Sequence, residues 1–206
     1  MTDVAPASDD LLVLDEQAQR LLFTEARTAN TFSDEPVTEQ QLRAMYELTK
    51  FGPTSANTQP MRTLYVSKGS GRDRLLPHMA EGNRDKTAGA PVVAVLAADL
   101  NFHEHIPTVF PVHPQMKDGF DNDLEKRNEH ARYNATLQAG YFILGVRAAG
   151  LAAGPMIGFD PDGIDKEFFA DSGWRSILVV NIGHPGENPW FDRLPRLAYE
   201  QVTRHV

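Results

Sequence analysis

The chain contains no cysteine among its 206 residues. That excludes a disulfide framework, a thiolate zinc site, a cysteine-ligated iron–sulfur cluster and a cysteine nucleophile. Basic charge is scarce as well. The chain has 20 Lys and Arg against 28 Asp and Glu, a net charge of −8, and a pI near 5.3. No Lys or Arg run interrupts that balance, so no nucleic-acid partner is expected. Apolar runs are short, and none approaches the roughly 18 residues of a membrane span. The N-terminus, Met1-Thr2-Asp3, is acidic, with Leu11 to Leu14 as its only apolar run. It lacks both the basic start and the apolar stretch of a signal peptide. A cytoplasmic protein that avoids membranes is the expectation.

What remains is ordinary globular composition, 41% hydrophobic and 23% charged. A chain of this length buries about 70% of its surface on folding, enough for one core and one domain over residues 1–206. Residues 1–10 are small and polar and read as a loose tail. Helical spacing of apolar residues predicts a helix over Asp15–Arg27. A second starts at Thr38, where Thr38 and Gln41 have capping-box spacing, and ends at Gly52-Pro53. Met61–Val66 reads as a strand and Arg72–Ala80 as a helix. The unbroken apolar runs Pro91–Ala98 and Ile177–Ile182 read as buried strands. Leu151–Ala153 suggests a short strand and Asp162–Phe169 a helix. Leu124–Ala149, closed by Gly150, predicts a helix of about 39 Å. It carries one stripe of Leu137, Tyr141, Leu144 and Ala148 and another of Phe142, Val146 and Ala149. A helix apolar on several faces calls for cover from several sides, a partner subunit included. Residues 101–122, rich in Pro, His and Asp, show no period and read as an irregular lid or substrate loop. The order of elements predicts an α+β fold, a three-layer α-β-α sandwich.

Most single motifs have bland readings. His103, His105 and His113 crowd the irregular segment but lack the companions of a metal centre, so solvated loop histidines are the reading taken. Gly145 and Gly150 have phosphate-loop spacing without the Lys-Ser/Thr that must follow, and they lie in a helix, so packing is preferred. Ser55 lacks the G-x-S-x-G turn of a hydrolase. Asn134 begins a glycosylation triplet in mid-helix and is discounted. Four polar clusters are left. They are Arg27-Thr28-x-Asn30, Pro53-Thr54-Ser55-Ala56-Asn57-Thr58-Gln59-Pro60, Asn83-Arg84-Asp85-Lys86, and Arg193 with Arg196. Together they offer cations, hydroxyls and amides that suit one phosphate and one polar heterocycle.

These pieces, with Gly154-Pro155-Met156-Ile157-Gly158-Phe159-Asp160 and Leu194-Pro195-Arg196, resemble the FMN-dependent nitroreductase-like flavoproteins over roughly residues 23–197. The octapeptide from Pro53 is similar to that family's Pro-Ser-Ser-x-Asn-x-Gln-Pro signature. The strings Gly-Pro-Thr-Ser-Ala-Asn, Gly-Pro-Met-x-Gly-Phe-Asp and Arg-Leu-Pro-Arg-Leu resemble its malonic semialdehyde reductase branch.

The resemblance implies a mixed central sheet, a homodimer and bound FMN, with NADPH or NADH as electron donor. Arg27, Thr28 and Arg196 would hold the phosphate, as bidentate guanidinium chemistry suits. Pro53, Thr54, Ser55 and Asn57 would approach from the other subunit. Asn83 and Lys86 would lie by the pyrimidine edge, where a cation stabilises the charge of the reduced ring. Pro155, Met156, Ile157 and Gly158 would run along the ring, the last two through backbone N–H groups. Asn30 stands where relatives often carry a cation, and Ile157 where some carry Glu. The implied activity is ping-pong hydride transfer through flavin N5 to a small acceptor. That acceptor would be an aldehyde such as malonic semialdehyde, yielding 3-hydroxypropanoate, or a nitro compound or quinone. A non-catalytic FMN-binding regulatory protein and a flavin-free homodimeric interaction protein are the competing classes. No proton donor is identified, and Arg62, Arg84 and Arg132 stand as equal candidates for a substrate carboxylate.

Overall fold

The computed structural model describes residues 12–206, so the expected tail over residues 1–10 lies outside the described residues. The order is α1 (Glu16–Gln19), α2 (Glu39–Thr49), β1 (Met61–Ser67), α3 (Ser70–Leu75), α4 (Glu81–Gly89), β2 (Val92–Asp99), α5 (Ile106–Val109), α6 (Asp118–Asp121), α7 (Leu124–Ala148), β3 (Ala152–Met156), α8 (Pro161–Phe168), β4 (Trp174–Gly183) and α9 (Tyr199–Val202).

The strands form one sheet in the order β1-β2-β4-β3. β2 is buried at every position, and period-2 alternation divides its side chains between two cores. Val93, Val95 and Ala97 join Leu75, Met79, Ile164 and Phe169 beneath α3 and α8. Ala94 and Leu96 join Met45, Ala139, Phe142 and Val146 beneath α2 and α7. The result is the expected α-β-α sandwich. The expected mixed sheet is not found among the described residues. All three pairings are antiparallel, because each strand runs opposite to the neighbour beside it.

α7 begins at Asp123, whose carboxylate accepts from Lys126 N–H, and ends at Gly150, which takes φ +74°. Gly145 faces the Thr49 side chain on α2 so closely that no β-carbon fits. That supports the packing reading of the Gly145–Gly150 spacing. Of the two apolar stripes, Phe142 and Val146 enter the core, whereas Leu137 and Tyr141 lie on the surface with Tyr133.

Residues 101–122 are not irregular. Short helical turns bury Phe102, Ile106 and Phe120 against Ala131 and Ala135 of α7, forming a third small core. His103 is buried rather than solvated, bonding Asp121 at 2.9 Å and Arg127 at 3.1 Å. Its ring is drawn in by those partners and by Phe102. His103, Glu104 and Asp121 are close enough to share an ion, but Lys117 already neutralises both carboxylates at 3.4 and 2.8 Å.

Three further boundaries differ from expectation. The Asp15–Arg27 helix covers Glu16–Gln19 and loosens into a π turn over Arg20–Thr24. Pro77 divides the Arg72–Ala80 helix into α3 and a 3₁₀ turn. α4, which has no apolar stripe, follows at Glu81. Among the described residues no helix is long and apolar enough to cross a membrane.

Candidate active site

The outer edge of β3 organises the first and third polar clusters. Ala29 N–H donates to Ala153 O at 3.0 Å, so Ala153 faces away from β4. Alternation then turns Pro155 and Ile157 outward too. Pro155 sacrifices no ladder bond there, since it has no N–H to donate. The Ile157 and Gly158 N–H groups donate no hydrogen bond among the described residues. Ile157 is 82% exposed. Met156 is the exception. Its side chain is buried, with its sulfur against Thr87 and Asn181, so only its backbone belongs to this edge.

Beyond β3, Gly158 O accepts from Ala80 N–H at 3.0 Å and from the Asn83 side chain at 2.8 Å. A β-carbon at position 158 would lie 2.5 Å from Asn83 Nδ2, so glycine is required by close approach. Lys86 sits one turn along α4 from Asn83, on the same face, and forms no ion pair among the described residues. From Gly154 to Gly158 the edge runs about 13 Å at strand spacing. The Arg27–Asn30 cluster lies at one end and Asn83 with Lys86 at the other.

At the first end, three guanidiniums converge on residues 22–27. Arg27 donates to Phe191 O at 3.0 Å. Arg193 donates to Thr24 O at 2.7 Å and Ala26 O at 3.2 Å. Arg147 donates to Leu22 O at 3.1 Å, while its buried Nε has no partner. None of the three forms a salt bridge among the described residues. Burial, and then the Arg193 charge beside it, lower the Arg147 pKa. Arg27 and Arg147 line a cavity of about 200 Å³ with Gly150 and Ala152; Glu25, on the same wall, is paired with Arg20 at 2.6 Å. Uncompensated guanidiniums around a small cavity are the donor set of a phosphate. Thr28 is exposed beside them, and Asn30 bonds Thr28 O at 3.4 Å.

Arg196 is not brought into this group. It bonds the carbonyls of Leu194 and Pro195 next to it. Arg193 is the C-terminal arginine that lies beside Arg27, held by the carbonyls of Thr24, at the end of the π turn, and Ala26. Arg193 stood in the fourth polar cluster. Arg147 gave no signal, because an arginine in a last helical turn reads as dipole compensation.

The Pro53–Gln59 segment lies elsewhere. It leads into β1, on the opposite edge of the sheet from β3. Three strand spacings of about 4.8 Å separate the two edges by roughly 14 Å. Within one chain, Thr54, Ser55 and Asn57 therefore do not share a pocket with Gly158.

The model of the nitroreductase family matches residues 24–184. A Streptomyces coelicolor protein with the provisional name NADH dehydrogenase/NAD(P)H nitroreductase is 62% identical over 186 residues, covering 90% of this chain and 92% of that protein. An Exiguobacterium sibiricum protein, provisionally named a nitroreductase and solved in complex with FMN, superposes with a TM-score of 0.81 at 16% identity. It covers 91% of this chain and 96% of that one. The enone reductase CLA-ER, from gut-bacterial fatty acid saturation, gives 0.80 at 14% identity, covering 94% and 100%. With the family model spanning most of its length and a relative 62% identical over nine-tenths of both chains, the chain belongs to the nitroreductase family.

Proposed function

We propose that the protein is an FMN-dependent NAD(P)H oxidoreductase. The observation that carries this reading is the set of three guanidiniums, Arg27, Arg147 and Arg193, that have no carboxylate partner among the described residues of an acidic chain. They would hold the FMN phosphate, with the Thr28 hydroxyl beside them. The heterocycle would lie along Pro155–Gly158, its polar edge toward Asn83 and Lys86. Bound FMN would supply hydride acceptance from NADH or NADPH and hydride donation to an acceptor. Lys86 contributes an unpaired cation that stabilises negative charge at its end of the edge. The N–H groups of Ile157 and Gly158, which donate no hydrogen bond among the described residues, are available to a heteroatom.

Pro53, Thr54, Ser55 and Asn57 would be supplied to this pocket by a second copy of the chain, since their own sheet holds them on the far edge. Other observations support a homodimer. The C-terminal arm presents Phe191, Leu194, Leu197, Tyr199 and Val202 to solvent, and α7 presents Tyr133, Leu137 and Tyr141. An open groove of about 710 Å³ lies over β1 and α2.

The acceptor we propose is malonic semialdehyde, on the strength of the sequence strings around Ser55, Gly158 and Pro195. Arg62 is committed to Asp99 at 2.7 Å, which leaves Arg84 and Arg132 for the substrate carboxylate. Nitro compounds and quinones are the second reading, the nitro compounds supported by the names of the relatives. The ratio of kcat/KM for malonic semialdehyde to that for a nitroaromatic separates the two.

The deciding experiment is the visible absorption spectrum of the desalted protein. A flavin band near one FMN per chain is expected. A colourless protein that takes up no added FMN would overturn the reading. Bound FMN without turnover of either nicotinamide would leave a regulatory flavin-binding protein.

A further inference from the structure

Three polar side chains stand on one face of α7 at four-residue spacing: His130, Asn134 and Gln138. That spacing sets them one above another. Each meets the segment that runs from Ser55 into β1. His130 Nε2 lies 3.1 Å from Thr58 Oγ1. Asn134 Oδ1 accepts from Ser55 N–H at 2.7 Å, and its amide group donates back to His130 O at 2.9 Å. Gln138 Oε1 accepts from Met61 N–H at 2.9 Å. Asn134 is 2% exposed, in a helix whose neighbouring inward positions are Ala131, Ala135 and Ala139. A carboxamide among alanines is costly unless its hydrogen bonds are made.

The held segment is backbone that resists its own conformation. Ala56, Asn57 and Gln59 have φ of 50°, 51° and 44°. Asparagine tolerates that region, but alanine and glutamine are disfavoured there by their β-carbons. Such a run persists only where its surroundings over-determine it, and clusters of this kind mark functional sites. Two further contacts close the far side. Arg62 donates to Gln59 O at 2.8 Å, and Asn57 donates to Val109 O at 2.8 Å. His130 is also stacked on Phe102 at 5.0 Å and packed on Phe120 at 4.9 Å, so the same helix face ties the segment to residues 101–122.

We propose that His130, Asn134 and Gln138 are positioning residues, a ladder that holds Ser55–Met61 in the left-handed conformation in which Thr54, Ser55 and Asn57 meet the cofactor of the partner subunit. The cofactor half of this statement rests on the function proposed above. None of the three contacts the β3 edge where the cofactor would be held by its own chain.

The test compares Gln138→Met, which keeps the shape and removes the acceptor, with Gln138→Glu, which restores it. Two quantities are read on the full-length protein: hydrogen exchange in peptides covering residues 54–61, and FMN affinity with the visible circular dichroism of the bound flavin. Loss of one such bond is expected to speed exchange and weaken FMN by up to about tenfold in Gln138→Met, with both recovered in Gln138→Glu. Asn134→Leu is expected to act in the same direction at Ser55. Unchanged exchange in Gln138→Met would overturn the ladder. Faster exchange with unaltered FMN affinity and dichroism would overturn its positioning role. If the wild-type protein binds no FMN, the functional reading fails, and the exchange comparison still decides whether the ladder holds the segment.

Discussion

The Asn83 side chain donates to the Gly158 carbonyl across 2.8 Å, and through that bond α4 and the end of β3 become one surface. A methyl group at position 158 would press on the same nitrogen. Gly158→Ala is therefore expected to break the bond and displace Asn83 from the β3 edge. FMN affinity, measured by fluorescence titration, should fall by about tenfold or more, with only a small change in thermal midpoint.

Arg193 and Arg196 make opposite predictions. Arg193 meets the Thr24 and Ala26 carbonyls beside Arg27, whereas Arg196 bonds only its neighbours. Arg193→Ala should weaken FMN by about 10²-fold, as loss of a charge-assisted contact implies. Arg196→Ala should change it by less than about threefold. Parallel titrations of the two variants decide the assignment.

Lys86 is tested through electrons rather than binding. Lys86→Met removes a cation that has no carboxylate partner among the described residues. The flavin reduction potential should become more negative, and reduction by NADPH should slow. An unchanged potential and rate would show that Lys86 has no electrostatic role.

Arg72 predicts stability. It is 3% exposed and faces no carboxylate among the described residues; it donates instead to the carbonyls of Val66 at 2.8 Å and Ala90 at 2.8 Å, and to that of Thr87. Burial pushes its pKa down to about 10. The guanidinium closes the C-terminal end of α4, where a cation also meets the helix dipole. Arg72→Met leaves those carbonyls unpaired and should cost about 3 kcal/mol in urea denaturation.

His130 predicts a pH dependence. Burial, and then the nearby Lys126 charge, hold its pKa below the usual 6.5. The unfolded chain takes up that proton first as pH falls. Its contribution to stability is therefore complete above about pH 6.5 and is lost as pH drops through the lower folded-state value. Urea midpoints across pH 4.5 to 7.5 should show that loss, reduced in His130→Gln.

Much of the architecture was legible because it rests on local rules. β2 is a continuous apolar run, and α7 is bounded by an aspartate cap and a glycine. The Thr38–Gln41 box forms with both of its hydrogen bonds. α4 was not legible. Its sequence Glu-Gly-Asn-Arg-Asp-Lys-Thr-Ala-Gly buries only Thr87, so the helix is held by Arg72 and by Asn83's bond to Gly158, contacts distant in sequence. Residues 101–122 looked irregular because their apolar residues, Phe102, Ile106 and Phe120, are spaced to fit α7 rather than one helix of their own. At the site, the glycines and the Arg27 cluster were visible as motifs. Arg147 was not, because only the fold brings its guanidinium to the turn at residues 22–27.

The placement of the two halves on opposite edges of the sheet has a genetic consequence. If each pocket takes its Pro53–Asn57 half from one chain and its Arg27–Gly158 half from another, a defect in either half disables every pocket of a pure mutant. Chains with different defects would nevertheless rescue one another. In a random mixture of the two, about half the dimers are hybrids, and each hybrid carries one pocket built wholly from undamaged halves. Two inactive proteins, unfolded together and refolded as a mixture, would recover about a quarter of the wild-type activity.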